Sequence, residues 1–241
     1  MTMAAASRIT QIPKTRVPST KNLLARDQRV LLHGLCWQDY IQIGNILCDR
    51  PALRLTYDEG TLEIMVTSKE HEYFKVRLGG LIEVLAEVFN LRIEPGGNMT
   101  FQREDVEKGL EGDNCWWIEH AEQVLGKLSW DSAIDPPPDL LLEIEVSRKA
   151  LVRMPIYAAI KVPQVWCFDG QSIRVYLLQP DCTYLQASES PTFPGIHLAE
   201  IVPFALPRKD KDYLTILREF RTWAKRQRKG KTKGAKKRRS K

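Results

Sequence analysis

The sequence predicts one α/β domain, a mixed β-sheet flanked by helices, followed by a disordered basic C-terminal tail. Three observations carry this. Short β-prone runs alternate with segments of helical periodicity, and nothing resembling a linker interrupts them before residue 225. Two pairs of runs meet at Gly-containing turns, Asp58-Glu59-Gly60 and Asp169-Gly170-Gln171, as antiparallel hairpins do. Eleven Lys or Arg and no acid crowd into residues 225–241, leaving 25 basic and 30 acidic residues before them. The formal charge of +6 over 241 residues is therefore the tail's, and the body is mildly acidic.

Taken in order, residues 1–25 are polar and read as a flexible N-terminus, so the domain spans 26–224. A helix is expected over Trp37–Leu47, ending near Pro51. Leu53–Tyr57 and Thr61–Val66 form the first hairpin. Phe74, Leu78, Leu81, Leu85 and Val88 recur at three-and-four spacing, which marks Glu70–Phe89 as the strongest helix, with Ser68 as its N-cap. Gly79-Gly80 weakens its middle and would let a strand pack close. Strands follow at Met99–Arg103, Asp113–Glu119 and Asp139–Val146. A helix over Ala150–Ile160 contains Pro155, which must start or kink it. Val162–Phe168 and Ile173–Leu178 form the second hairpin, and Tyr184–Ala187 a short strand. Tyr213–Arg228 closes the domain as an amphipathic helix carrying Leu214, Leu217, Phe220 and Trp223.

Composition excludes several classes. No apolar run is long enough to cross a bilayer, so no membrane partner is expected. The first residues lack the apolar core of a signal peptide. Five cysteines without a C-x-x-C pair, and four scattered histidines, argue against a zinc site or disulfide framework and fit a cytoplasmic protein. Trp116, Trp117, Trp166 and the lone thiol of Cys115 read as core. A tail such as KRQRKGKTKGAKKRRSK suits a polyanion, bound by counterion release; a solubilising tail is the bland alternative.

The chemistry concentrates in DLLLEIEVS. Side chains on a strand alternate faces, so Asp139, Leu141, Glu143, Glu145 and Ser147 share one face while Leu140, Leu142, Ile144 and Val146 share the other. Three carboxylates on one face repel, so either that face is wet, as in a half-exposed sheet, or something positive sits against it. A Mg²⁺ ion is an economical candidate, with Mn²⁺ as a substitute, because hard oxygen ligands suit it. Asp113 opens the preceding strand and, across adjacent strands, could share that ion with Glu143. Glu70 and His71 begin the long helix and could reach the same place, although acids favour helix N-termini in any case.

The pieces RLTYDEGTLEIM, EHEYFKVRLGGLIEVLAE, TFQREDVEKGLEGDNCWWI, DPPPDLLLEIEVS and PIYAAIKVPQVWCFDGQSIRVYLL, with the closing helix, resemble in order the Uma-type family of restriction endonucleases, within the PD-(D/E)XK nuclease superfamily. The resemblance runs from about Val30 to Arg228. It implies a restriction-endonuclease-like core and a metal-dependent phosphodiesterase site. By motif position, Asp113 is the first acid and Glu143 the acid following Pro138-Asp139, together the metal ligands, with the Ile144 carbonyl as a further ligand. Glu70 and His71 fall where the superfamily places a polar residue on its first helix. Two departures stand out. Glu145 occupies the superfamily's lysine position, and Arg153 stands about where this family carries a lysine on the following helix. Arginine can hold a phosphate but cannot act as a general base. Gly112 stands where proline usually precedes the first acid.

The resemblance implies an endonuclease cutting DNA through Mg-activated water, its site formed by Asp113, Glu143, Glu145, Arg153, Glu70 and His71. Arg148 and Lys149, with Lys236, Lys237, Arg238 and Arg239 in the tail, would contact nucleic acid, and a homodimer would suit cutting both strands. The departures keep a second reading open, a catalytically degenerate nuclease fold that binds nucleic acid or serves assembly. A dimerising scaffold built on the closing helix is a third.

Overall fold

A computed structural model describes residues 27–50, 52–132, 134–146 and 152–239, with side chains through Lys229. The expected nucleic-acid contacts Arg148 and Lys149 lie outside the described residues, as does the expected flexible N-terminus. Lys236, Lys237, Arg238 and Arg239 lie beyond the described side chains.

The strands form two sheets, with helices against them. The first is antiparallel, in the order β1 (Gln28–His33), β3 (Thr61–Val66), β2 (Leu53–Asp58), β6 (Lys108–Glu111), β5 (Thr100–Arg103). The predicted turn between β2 and β3 uses two left-handed residues, Glu59 at φ 42° and Gly60 at φ 91°, a backbone that twists with the strands it joins. Helix α1 (Trp37–Leu47) lays Trp37 and Tyr40 on Leu55, Tyr57 and Leu62 of this sheet.

The second sheet is mixed and runs β11 (Tyr184–Ala187), β10 (Ile173–Leu178), β9 (Gln164–Phe168), β8 (Leu140–Ile144), β7 (Asn114–Trp117), β4 (Glu94–Gly97). Only β8 and β9 run parallel, because helix α4 (Met154–Ile160) carries the chain back between them. All five residues of β8 are buried, so the half-exposed face weighed from sequence does not exist. Leu140, Leu142 and Ile144 pack in the core with Phe74, Leu78 and Leu85 of helix α2 (Lys69–Phe89). Leu141 packs with Ile156 and Tyr157 of α4 and with Phe101 and Leu110 of the first sheet. A strand covered on both faces turns any acid among its residues into a buried one.

The glycine pair in α2 admits two neighbours. A Cβ on Gly79 would lie 2.9 Å from the Asn114 amide on β7, the close strand anticipated; one on Gly80 would strike the Tyr213 hydroxyl of the closing helix α6 (Tyr213–Arg239). Along α6, Ile216, Phe220 and Ala224 are buried at four-residue spacing, Leu217 and Trp223 are partly covered, and Leu214 is 56% exposed rather than part of the apolar stripe. The helix covers the expected Tyr213–Arg228. Arg221 grips the Glu87 carboxylate, and Arg228 lies over the Phe89 ring and donates to the Val88 carbonyl. Its helical backbone is described as far as Arg239.

Three smaller departures have local causes. Helix α4 begins at Met154, with Pro155 in its first turn where the missing N–H is harmless. Strand β8 ends at Ile144, short of Val146. Strands β1, β4 and β6 and the one-turn helices α3 (Ala121–Val124) and α5 (Val202–Ala205) were not recognised from sequence: β1 is largely exposed, and the others are only four residues long.

Candidate active site

Strands β7 and β8 are antiparallel, with Asn114 opposite Leu142 and Cys115 opposite Leu141. One step further along that ladder brings Asp113 beside Glu143. Both are fully buried, and the Ile144 amide donates to Asp113 Oδ2 at 2.8 Å. The two acids expected to converge therefore do so, at the end of the strand pair where the first sheet and the start of α2 close over it.

Each carboxylate is held from its own side. Ser68 caps α2 by accepting the His71 amide at 3.1 Å, which fixes the first turn and points the imidazole inward. His71 Nε2 lies 2.9 Å from Asp113 Oδ1, and Nδ1 lies 3.5 Å from Asp27 Oδ2. Asp27 is anchored in turn by the Ser68 amide at 2.8 Å. Burial disfavours the imidazolium, but the two carboxylates outweigh it and raise the His71 pKa to about 9, so the ring carries both protons at neutral pH. Burial would raise Asp113, yet the His71 bond, the positive charges of His71 and Arg153, and the Ile144 amide bring it below the ordinary carboxylate range.

Glu143 is gripped by one turn of α4. Arg153, at the helix N-cap, donates from one terminal nitrogen to Glu143 Oε2 at 2.8 Å and from the other to Glu63 Oε1 on β3 at 3.3 Å. Tyr157, one turn on, donates its hydroxyl to Glu143 Oε1. Burial and the neighbouring Glu143 anion hold the phenol well above its usual range, so it stays a donor. Burial works against the Arg153 charge, but the surrounding anions outweigh it, and the guanidinium stays protonated. The Arg29 guanidinium lies 3.9 Å from Glu63 and 3.6 Å from Asp27, joining the two halves of the network.

Of the residues singled out in the sequence, Asp113, Glu143, His71 and Arg153 come together. Glu70 does not: it is exposed on the first turn of α2, one residue from the buried His71. Nor does Glu145 join them. Just past the end of β8 its carboxylate lies at the rim, 3.3 Å from Arg174 of β10. Asp139 sits at the other end of the strand and binds the amides of Ile118 and His120 and the His120 ring. Sequence reading missed Glu63, Asp27 and the polar role of Tyr157. An acid between Leu62 and Ile64 in a hairpin strand was the available signal for Glu63, but its partner lies 90 residues away.

A cavity of about 470 Å³ opens beside the network between α1 and the first sheet, lined by Asn45, Arg50, Arg54, Asn98, Gln102 and Glu111 among others. Arg54 lies 3.9 Å from Glu111 and 3.8 Å from Glu72. Burial raises the Glu111 carboxyl, against the pull of Arg54 and Arg153.

The donor set suits a hard divalent ion in kind. Asp113 and Glu143 present neighbouring carboxylates, hard oxygen donors of the kind such an ion takes, and each of their four oxygens accepts at least one hydrogen bond. Among the described residues no three His, Cys, Asp or Glu side chains are arranged to hold a metal by themselves. Further ligands would have to be backbone, water or substrate oxygens.

No helix among the described residues is long and apolar enough to cross a membrane. No curated protein matches the chain. Residues 37–207 match the family model described as Uma2, putative restriction endonuclease, which covers α1 through the last β-strand and all four converging residues. That family lies in the restriction-endonuclease-like superfamily, whose members generally use divalent metals, and it points to a nuclease acting on nucleic acid. With well over half its length matched, and the mixed sheet and flanking helices expected of such a core, the chain belongs to the Uma2 family.

Proposed function

We propose that the protein is a divalent-metal-dependent endonuclease that hydrolyses phosphodiester bonds in DNA. The observation that carries this is that Asp113, just before β7, accepts from the Ile144 amide beside Glu143 of β8, two buried carboxylates each oriented by its own partners. Asp113 and Glu143 would hold Mg²⁺, or Mn²⁺ in its place. Such an ion, when bound, lowers the pKa of a coordinated water and stabilises charge on a phosphoryl oxygen. His71 fixes the plane of the Asp113 carboxylate and keeps it ionised. Arg153 supplies a permanent positive charge beside the reacting group; it cannot take a proton from water, so a general-base role falls to no residue of α4. Arg54, on the cavity wall, would meet an approaching phosphate. Arg148 and Lys149, between β8 and α4 in sequence, would contact the phosphate backbone, and the basic end of α6, including Lys236, Lys237, Arg238 and Arg239, would add sequence-independent affinity. A twofold dimer would present one such site to each strand of a duplex.

The test is plasmid cleavage in Mg²⁺ or Mn²⁺ by wild type, Asp113→Ala and Glu143→Ala, with Mn²⁺ binding followed by calorimetry. Cleavage and Mn²⁺ uptake by wild type, both lost in the variants, are expected. Uptake without cleavage would refute the nuclease reading while keeping the ion site.

A second reading has its own observation. Glu145 replaces the superfamily lysine, and Arg153 already neutralises Glu143. A fold that has lost catalysis and keeps nucleic-acid binding would bind DNA without taking up Mn²⁺, and deletion of residues 225–241 would abolish that binding.

A further inference from the structure

We propose that Tyr157 and Glu63 are positioning residues for the proposed metal site: Tyr157 sets the orientation of Glu143, and Glu63 draws the charge of Arg153 away from it. The inference rests on the nuclease reading and concerns residues that reading does not use.

The geometry is specific. Glu143 is held at both oxygens, by the Tyr157 hydroxyl on Oε1 and an Arg153 nitrogen on Oε2. Both come from the same turn of α4, whose backbone bond from the Tyr157 amide to the Arg153 carbonyl, 3.1 Å, sets their spacing. Tyr157 is fully buried between β8 and α4, so its ring cannot rotate away without opening the core. A carboxylate pinned at both oxygens has a fixed plane, and a fixed plane directs its remaining lone pairs. Partners behind a metal ligand act in this way, and losing one commonly costs about 10–100-fold in metal affinity.

Glu63 acts one step further back. Arg153 divides its two terminal nitrogens between Glu143 and Glu63, contributed by different sheets. Were Glu63 neutral, Arg153 would have one fewer anion to balance it and would oppose a divalent ion at Glu143 more strongly. With Glu63 charged, Arg153 has a second anion to hold when Glu143 turns to an ion. The pair thus performs two tasks that packing alone does not require: the phenol orients the ligand, and the distant acid moderates its counter-charge.

The experiment is Mn²⁺ calorimetry on full-length wild type, Tyr157→Phe and Glu63→Gln, with urea midpoints measured beside it. Tyr157→Phe should weaken Mn²⁺ binding about tenfold or more, and Glu63→Gln should weaken it in the same direction by several-fold. If Tyr157→Phe does not fold, Glu63→Gln alone decides. Unchanged Mn²⁺ affinity in the folded variants, even with reduced stability, marks these residues as structural only and overturns the inference. Failure of wild type itself to take up Mn²⁺ defeats the metal reading, and this inference with it.

Discussion

Strands β7 and β8 carry a His–Asp pair at each end, and the two pairs behave differently. At one end His71 and Asp113 meet at 2.9 Å with side chains 1% and 0% exposed, inside a network reaching Asp27, Arg153, Glu143 and Glu63. At the other end His120 and Asp139 meet at 2.6 Å with side chains 38% and 8% exposed, and the carboxylate also binds the amides of Ile118 and His120. The contact is alike and its consequence is not. Where solvent reaches the imidazole, the acid ties down a chain turn. Where solvent is excluded, each charge depends on the next, and the group becomes a candidate for chemistry.

The largest expected effect breaks the buried end. Arg153→Ala leaves Glu143 and Glu63 without their shared cation and should destabilise the fold by about 3–5 kcal/mol, read as a fall in the urea midpoint. By shifting the equilibrium toward unfolding, the same variant should make the buried Cys115 react faster. In wild type burial pushes its thiol up to about 12, and together with Cys167 it should resist thiol reagents while the exposed Cys36, Cys48 and Cys182 react. An unfolding free energy within about 0.5 kcal/mol of wild type would mean the network is far wetter than its burial implies.

Next in size is a pH dependence confined to that end. The folded pKa of His71, about 9, lies above its unfolded value near 6.5. Its stabilisation is therefore complete below pH ~6.5 and disappears as pH rises through about 9. In chelator, the melting temperature of wild type should drop across that window, and the curve of His71→Gln should be flatter. Equal slopes would place the imidazolium elsewhere.

Smaller again is Asp139→Ala, which orphans the buried Ile118 amide and should cost about 1–3 kcal/mol while leaving Mn²⁺ affinity unchanged. A loss of Mn²⁺ binding in this variant would erase the distinction between the two ends. His120→Ala, removing a half-exposed partner, should cost about 1 kcal/mol or less by chemical denaturation.

How much of this was legible in advance follows from the range of the interactions. The Asp58-Glu59-Gly60 turn, the Ser68 cap and the periodicity of α2 depend on neighbours within a few residues, and each lies where the sequence placed it. Asp113 and Glu143 were found because strand alternation and family resemblance agreed on them. Glu145 was misplaced because alternation continues on paper after β8 has ended. Glu70 was weighed equally with His71 because spacing within a first turn cannot say which of two adjacent residues faces inward. Leu214 was assigned to the buried stripe because helical periodicity fixes a face only once the neighbour is known, and α2 meets α6 at Gly80 through Tyr213 and Leu217.

The sequence by itself determined most of the local elements, the family and the two candidate acids, because turn chemistry, periodicity and motif spacing act along the chain. Only the tertiary structure decided that β8 is covered on both sides, that Glu63 reaches Arg153 across two sheets, and that His71 is an imidazolium. Those outcomes depend on which distant segments exclude water from a charge, and the strength of every buried ion pair follows from that exclusion rather than from the identity of the residues in it.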